Sequence, residues 1–310
     1  MQPLSGILVA DFTRYIPGPF ASRELLRLGA RVVRVEAPDG DPLRDVSPAW
    51  DEALNSGKES VVWDRDRDPG LAAALCARAD VVLVAFRPGV AERLGVGPDD
   101  APPRAVHCAI VGFGPHERLV GHDLNYMGWA GALATTAPAS PPVPVADLAA
   151  GGMTAVARVL AALLERERTG RGARIVVSMT EGAHELARFS APLTGELACY
   201  RIYACADGRF LTVAALEPRF WRRLCELLAR PDLLARQNDA HAELEQVFGL
   251  RPLAAWLELF VGEDVAVGPV ATWAEASGRF GATQHPTLPP PKLGEHTDVW
   301  RATLGLESPM

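Results

Sequence analysis

The sequence predicts an α/β protein, a parallel β-sheet with helices on both faces, followed by a smaller α+β unit. Three features carry that reading. Short apolar runs alternate with helical stretches through at least four units, the pattern of strands joined by crossover helices. From about residue 186 the texture changes to a loop and a hairpin, whose turn "ADGR" (206–209) carries the Asp-Gly signal. At 310 residues the chain is long for one ordinary core and sufficient for two, or for one large α/β domain with an insertion.

Taken in order, residues 6–12 (GILVADF) read as a buried strand and 17–30 (PGPFASRELLRLGA) as a helix. Pro17 and Pro19 mark that helix's start and Gly29 its stop. Residues 31–38 and 60–64 are further strands, 69–79 a helix, and 80–86 and 105–113 two more strands. Residues 151–170 (GGMTAVARVLAALLERERTG) form the clearest helix, apolar along one stripe, with charges before Gly170. A strand and a helix start follow in 173–183. After the hairpin, helical stretches are expected at 218–229, 250–260 and 265–276. The tail, 287–305, is proline-rich and then helical, and long enough to return to the first domain.

Composition excludes several classes. Hydrophobic residues make up 48% and charged residues 22%, as in an ordinary soluble globular protein. A net charge of −7 argues against nucleic-acid binding, which wants clustered Lys and Arg. Five dispersed cysteines and seven dispersed histidines offer no metal-ligand spacing. No signal peptide is evident, and no window approaches the ~20 continuous apolar residues of a membrane span. The expectation is a cytoplasmic protein with reduced thiols and no metal. No G-x-G-x-x-G follows the first strand, and neither a Walker loop nor a G-x-S-x-G elbow occurs.

Three residues stand out as candidates for proton chemistry. His122 and Asp123 adjoin in "GHDLNY" (121–126); either can simply pack or cap the next helix, or His122 can be a base with Asp123 as its orienting partner. Asp147, in "VADLAAGG", precedes a helix start; the alternative to capping is a carboxylate facing a cleft, with Gly151 and Gly152 allowing close approach of another group. Glu217 is a lone acid before Pro218 and a helix. Together they support general acid–base chemistry on an α/β scaffold.

The motifs "DFTRYIPGPFASRELLRLGARVVRVEAP", "NSGKESVVWD", "FRPGVAERLG", "GHDLNYMGWAGAL", "VADLAAGGMTAVARVLAALLERERTGRGARIVVSMTEGA", "YACADGRFLTVAALEPRFW" and "KLGEHTD" follow one another over nearly the whole chain. In this order they resemble the family III coenzyme A-transferase superfamily, in its α-methylacyl-CoA racemase branch. The resemblance implies a Rossmann-like large domain from both chain ends (1–190 and 277–310), a smaller α+β domain (191–276), and an interlocked homodimer. It implies an acyl-CoA thioester substrate, with CoA as part of the substrate and no prosthetic group. His122 and Asp147 would exchange the α-proton from opposite faces, with backbone N–H groups after Asp147 holding the enolate oxygen. Glu217 would approach His122 from the partner chain. CoA would lie near Val62, Trp63, Asp64, Arg87, Gly121, Asp123, Leu124, Asn125 and Tyr126.

Two positions depart from the pattern. Ala37 replaces an arginine that meets CoA phosphate in racemases of the family, leaving Arg34 or Arg44 as substitutes, and Ala85 replaces an acid or amide. The alternatives are a CoA-transferase with Asp147 as nucleophile, or a repurposed member acting on a non-CoA ligand.

Overall fold

A computed structural model describes residues 2–114, 116–189, 193–281 and 288–307. The chain divides into two compact units, Met1–Ala187 with His285–Met310, and Arg188–Gln284. The boundary expected at 190/191 lies outside the described residues, and the one expected at 277 falls inside a helix of the second unit.

In the first unit, β1 (Leu8–Phe12), β2 (Arg31–Glu36), β3 (Glu59–Val62), β4 (Val81–Val84), β5 (Val106–Val111) and β6 (Arg174–Ser178) form one sheet. Its order is β3-β2-β1-β4-β5-β6, with every neighbouring pair parallel. The helices are α1 (Pro17–Arg27), α2 (Leu43–Val46), α3 (Pro48–Asn55), α4 (Pro69–Arg78), α5 (Val90–Arg93), α6 (Asp123–Trp129), α7 (Thr154–Thr169) and α8 (Met179–Ala187). Strand side chains alternate between two cores. Val9, Val32 and Leu83 face the layer containing α1, α7 and α8; Ala10, Val33 and Val84 face the layer containing α4. Apolar residues on both faces explain why these strands read as continuous hydrophobic runs rather than alternating ones.

The helix expected at 151–170 begins earlier, as a π-helical segment Ala146–Met153 running straight into α7. Its glycines serve packing within the fold. A Cβ on Gly152 would sit 2.6 Å from the Phe20 ring and 3.1 Å from the Pro17 carbonyl oxygen, so only glycine lets α1 approach this closely. By length and composition alone the continuous stretch Ala146–Thr169 is apolar enough to cross a membrane, although Asp147 and Arg158 interrupt it. Half of its most apolar window is buried, and its π-helical end packs on α1 and α8, as a core helix does.

The second unit holds the hairpin β7 (Tyr200–Ala204) and β8 (Phe210–Ala214), with β9 (Val267–Pro269) added antiparallel to β8. Its helices are α9 (Pro218–Leu227), α10 (His241–Phe248), α11 (Leu253–Phe260) and α12 (Trp273–Phe280). Residues 267–269 were expected to be helical. The free edge of β8 captures them instead, pairing Val213 with Val267, a tertiary override of a short ambiguous run.

The chain returns to the first unit through α13 (Thr297–Leu304). Trp300 is 1% exposed, donates from Nε1 to Glu59 Oε2 at 2.5 Å, and lies under the Arg31 guanidinium at 4.4 Å. Trp300→Ala removes this anchor and should cost about 3–5 kcal/mol, the usual range for a buried tryptophan. Urea unfolding of the two proteins checks it.

Candidate functional site

All six strands of the main sheet run parallel, so their C-terminal ends share one edge. The strand order reverses between β1 and β4, and in open α/β sheets such a reversal leaves a crevice where ligands bind. A cavity of about 450 Å³ occupies that place. Its walls come from the segments following β1 (Arg14, Tyr15), β4 (Ala85–Pro88) and β5 (Gly112, Phe113), with Gly121, His122 and Tyr126 at the start of α6, and with Asp147 and Met179.

Asp147 sits in the first turn of the π-helical segment and is 8% exposed. Its backbone N–H donates to Asp123 Oδ1 at 2.9 Å. Burial, reinforced by the neighbouring Asp123 charge, pushes its carboxyl up to about 7. No lysine, arginine or histidine among the described residues lies within ion-pair distance to counter that shift. Near neutral pH this carboxyl therefore populates both its acid and its base form, as a proton-transfer group must.

His122 is the N-cap residue of α6, with an exposed side chain. Its backbone N–H donates to Asn125 Oδ1 at 3.1 Å. The preceding carbonyl, of Gly121, accepts the Tyr126 hydroxyl, and the Tyr126 ring lies so close to Gly112 that a Cβ there would be 2.6 Å from it. The imidazole meets the Tyr15 ring edge-on, with centroids 5.9 Å apart. Tyr15 has φ +65°, a backbone region that L-residues rarely adopt. Its N–H is held by Asp41 Oδ2 at 3.1 Å, and Asp41 is held in turn by the fully buried Arg34 at 3.0 Å.

The site thus brings together Arg87, Gly121, His122, Tyr126 and Asp147 from the sequence-derived candidates. Asp123, Leu124 and Asn125 share the same helical turn without lining the cavity. Val62, Trp63 and Asp64 lie at the end of β3 and do not line the cavity. The Val62 N–H is taken by Thr297 Oγ1 at 3.0 Å, Trp63 packs on Phe12, and Asp64 Oδ1 accepts from the N–H groups of Asp66 and Arg67. Glu217 belongs to the second unit, where it is the exposed N-cap residue of α9.

Several finer expectations need correction. Asp123 partners Asp147 rather than orienting His122. The N–H groups at the helix start are already engaged, Asp147 with Asp123 and Leu148 with the Pro144 carbonyl at 3.0 Å, so these two do not serve as enolate donors. Neither Arg34 nor Arg44 is free to replace the arginine absent at position 37. Arg34 faces Asp41, Asp51 and Glu36, and Arg44 forks onto Glu36 at 2.7 and 2.8 Å. Sequence reasoning missed Arg14 and Tyr15. Their place directly after the first strand of a parallel sheet was the available signal. Among the described residues no three His, Cys, Asp or Glu side chains group as a metal-ligand set.

The family model described as CoA-transferase family III matches residues 4–285. The chain belongs to this family. Among its relatives is the human (Homo sapiens) α-methylacyl-CoA racemase, 36% identical over 307 residues, covering 88% of this chain and 78% of that one. The acetyl-CoA:oxalate CoA-transferase of Acetobacter aceti is 31% identical, covering 89% and 82%. The crystal structure of Rv3272 from Mycobacterium tuberculosis superposes with a TM-score of 0.82 at 30% identity, covering 97% and 99%. The six-stranded parallel sheet with its small antiparallel companion is accordingly a CoA-transferase family III fold.

The raised Asp147 carboxyl has a measurable consequence for a protein of this family. Because its pKa is higher folded than unfolded, the folded state binds the extra proton, and wild type loses stability as pH rises from about 4 to about 7. Asp147→Asn is free of that loss. Its stability relative to wild type should climb over this window by a few kcal/mol and level off above about pH 7. Urea midpoints at pH 5 and pH 8 check the sign.

Proposed function

We propose that the protein is a racemase or epimerase of 2-methylacyl-CoA-type thioesters, working by two-base proton exchange at the α-carbon. The observation that carries this reading is a buried carboxyl, poised near neutral pH, in the same cavity as an accessible imidazole. The neutral imidazole of His122 takes the α-proton from one face. The electron pair of the broken C–H bond passes into the thioester as an enolate, and the protonated carboxyl of Asp147 returns a proton to the other face. For the opposite enantiomer the roles reverse. Coenzyme A enters as part of the substrate, with Arg87 in the cavity wall as a partner for its phosphates. The likeness to the human α-methylacyl-CoA racemase supports this choice within the family.

We further infer self-association and a cytoplasmic location. The exposed apolar side chains of Trp129 and Val176, beside a cavity of about 560 Å³ at the outer strand β6, support a homodimer. In that assembly the second copy's Glu217 would approach His122. Five free, buried cysteines fit a reducing compartment.

The second reading, supported by the likeness to a CoA-transferase, makes Asp147 a nucleophile that carries an acyl and then a CoA thioester. Deuterium uptake at the α-carbon of 2-methylacyl-CoA thioesters in heavy water separates the two. The racemase reading predicts uptake in wild type, reduced about 10²–10⁴-fold in both His122→Ala and Asp147→Asn. Absence of uptake with every thioester, together with a covalent adduct on Asp147, would establish the transferase instead.

A further inference from the structure

The proton-transfer chemistry leaves one charged group of the cavity without a task. Besides His122 and Asp147, the ionisable arginine and acid side chains in its wall are Arg14, Arg87 and Glu117. Glu117 is turned back towards Gly114: its N–H bonds the Gly114 carbonyl at 3.1 Å, and its Oε1 lies 3.1 Å from where a Cβ on Gly114 would sit. Arg87 is assigned above to CoA. Arg14 meets no carboxylate among the described residues; it contacts the Tyr15 ring, whose centroid is 5.7 Å from the guanidinium carbon.

Tyr15 therefore carries Arg14 and His122 against the same ring. That ring is held where it is at a cost. A non-glycine residue at φ +65° is disfavoured, and such strain persists only where surrounding contacts over-determine it. Those contacts are present, since Asp41 grips the Tyr15 N–H and is itself fixed by the buried Arg34. The result is a guanidinium presented to the cavity on the side of the base, pre-oriented by its aromatic support. A planar, unpaired guanidinium in this position matches the paired oxygens of a carboxylate or a phosphate.

We propose that Arg14, seated on the strained Tyr15, forms an anion subsite on the His122 side of the cavity and holds an anionic group of the thioester substrate. Two sources supply such a group: a second carboxylate at the far end of the acyl chain, or the phosphates of the CoA carrier. This inference rests on the thioester reading above. It adds that substrate choice depends on charge at a place the proton transfer itself does not need.

The test is calorimetric binding of four ligands to the full-length protein, as wild type, Arg14→Gln and Arg14→Lys, each variant first matched to wild type by its thermal unfolding midpoint. The ligands are a 2-methyl-branched acyl-CoA, a length-matched thioester ending in a carboxylate, and the pantetheine thioesters of the same two acids, which lack the CoA phosphates. If the anion is the acyl carboxylate, Arg14→Gln weakens both carboxylated ligands about 10–100-fold more than the two without that carboxylate, and Arg14→Lys recovers part of the loss. If it is a CoA phosphate, Arg14→Gln weakens both CoA ligands by that factor and neither pantetheine ligand. Equal affinities for all four ligands in wild type and Arg14→Gln would overturn the subsite while leaving the thioester reading intact. Failure of wild type to bind any of the four would overturn both.

Discussion

The site depends on a carboxyl group that is buried with no cation beside it among the described residues. Ionising Asp147 means desolvating a negative charge next to another one, that of Asp123, so the group keeps its proton up to about pH 7. Everything close to it maintains that condition. The π-helical segment places Asp147 below the surface, the α1 helix and Met179 pack against Gly152 and Gly151, and Asp123 accepts its N–H. A lysine or arginine within reach of this carboxyl would lower its pKa and leave it a permanent anion, able to accept a proton but not to carry one across the α-carbon.

The part of the cavity wall around Tyr15 is fixed by a different device. Arg34 lies within ion-pair distance of Asp41, Asp51 and Glu36 in a buried charge cluster, and breaking such a set by removing one partner is costly. Through Asp41 the cluster sets the Tyr15 backbone, and through the Tyr15 ring it bears on His122 and Arg14. The two groups of the proposed proton relay are thus supported by different means, one by exclusion of water and the other by ionic scaffolding.

Much of this was legible in the residues. Apolar runs of β-branched side chains marked every strand of the parallel sheet, and the Asp-Gly turn marked the hairpin, because these signals are local. His122 and Asp147 were visible because they stand at loop–helix junctions. What escaped depends on geometry in three dimensions. Asp123 was read as a partner of His122 because it adjoins it in sequence, yet neighbours on a helix start point apart, and its carboxylate instead reaches a backbone 24 positions on. Arg34 looked available to a phosphate until burial placed three acids around it. The role of Tyr15 rests on a positive φ, which no side-chain pattern announces for a tyrosine. Val267 joined a strand because β8 had a free edge, a fact about another segment.

The protonation of Asp147 is the claim on which the rest turns, and its side-chain carboxyl carbon reports it directly. With aspartate ¹³C-labelled at that carbon, and the Asp147→Asn spectrum assigning the signal, titration of the folded protein should give a midpoint near 7. In Asp123→Asn the same signal should titrate lower, because one of the two causes of the shift is gone. A wild-type midpoint in the ordinary aspartate range, near 4, would contradict the account, for Asp147 would then be ionised throughout the neutral range and would have no proton to return.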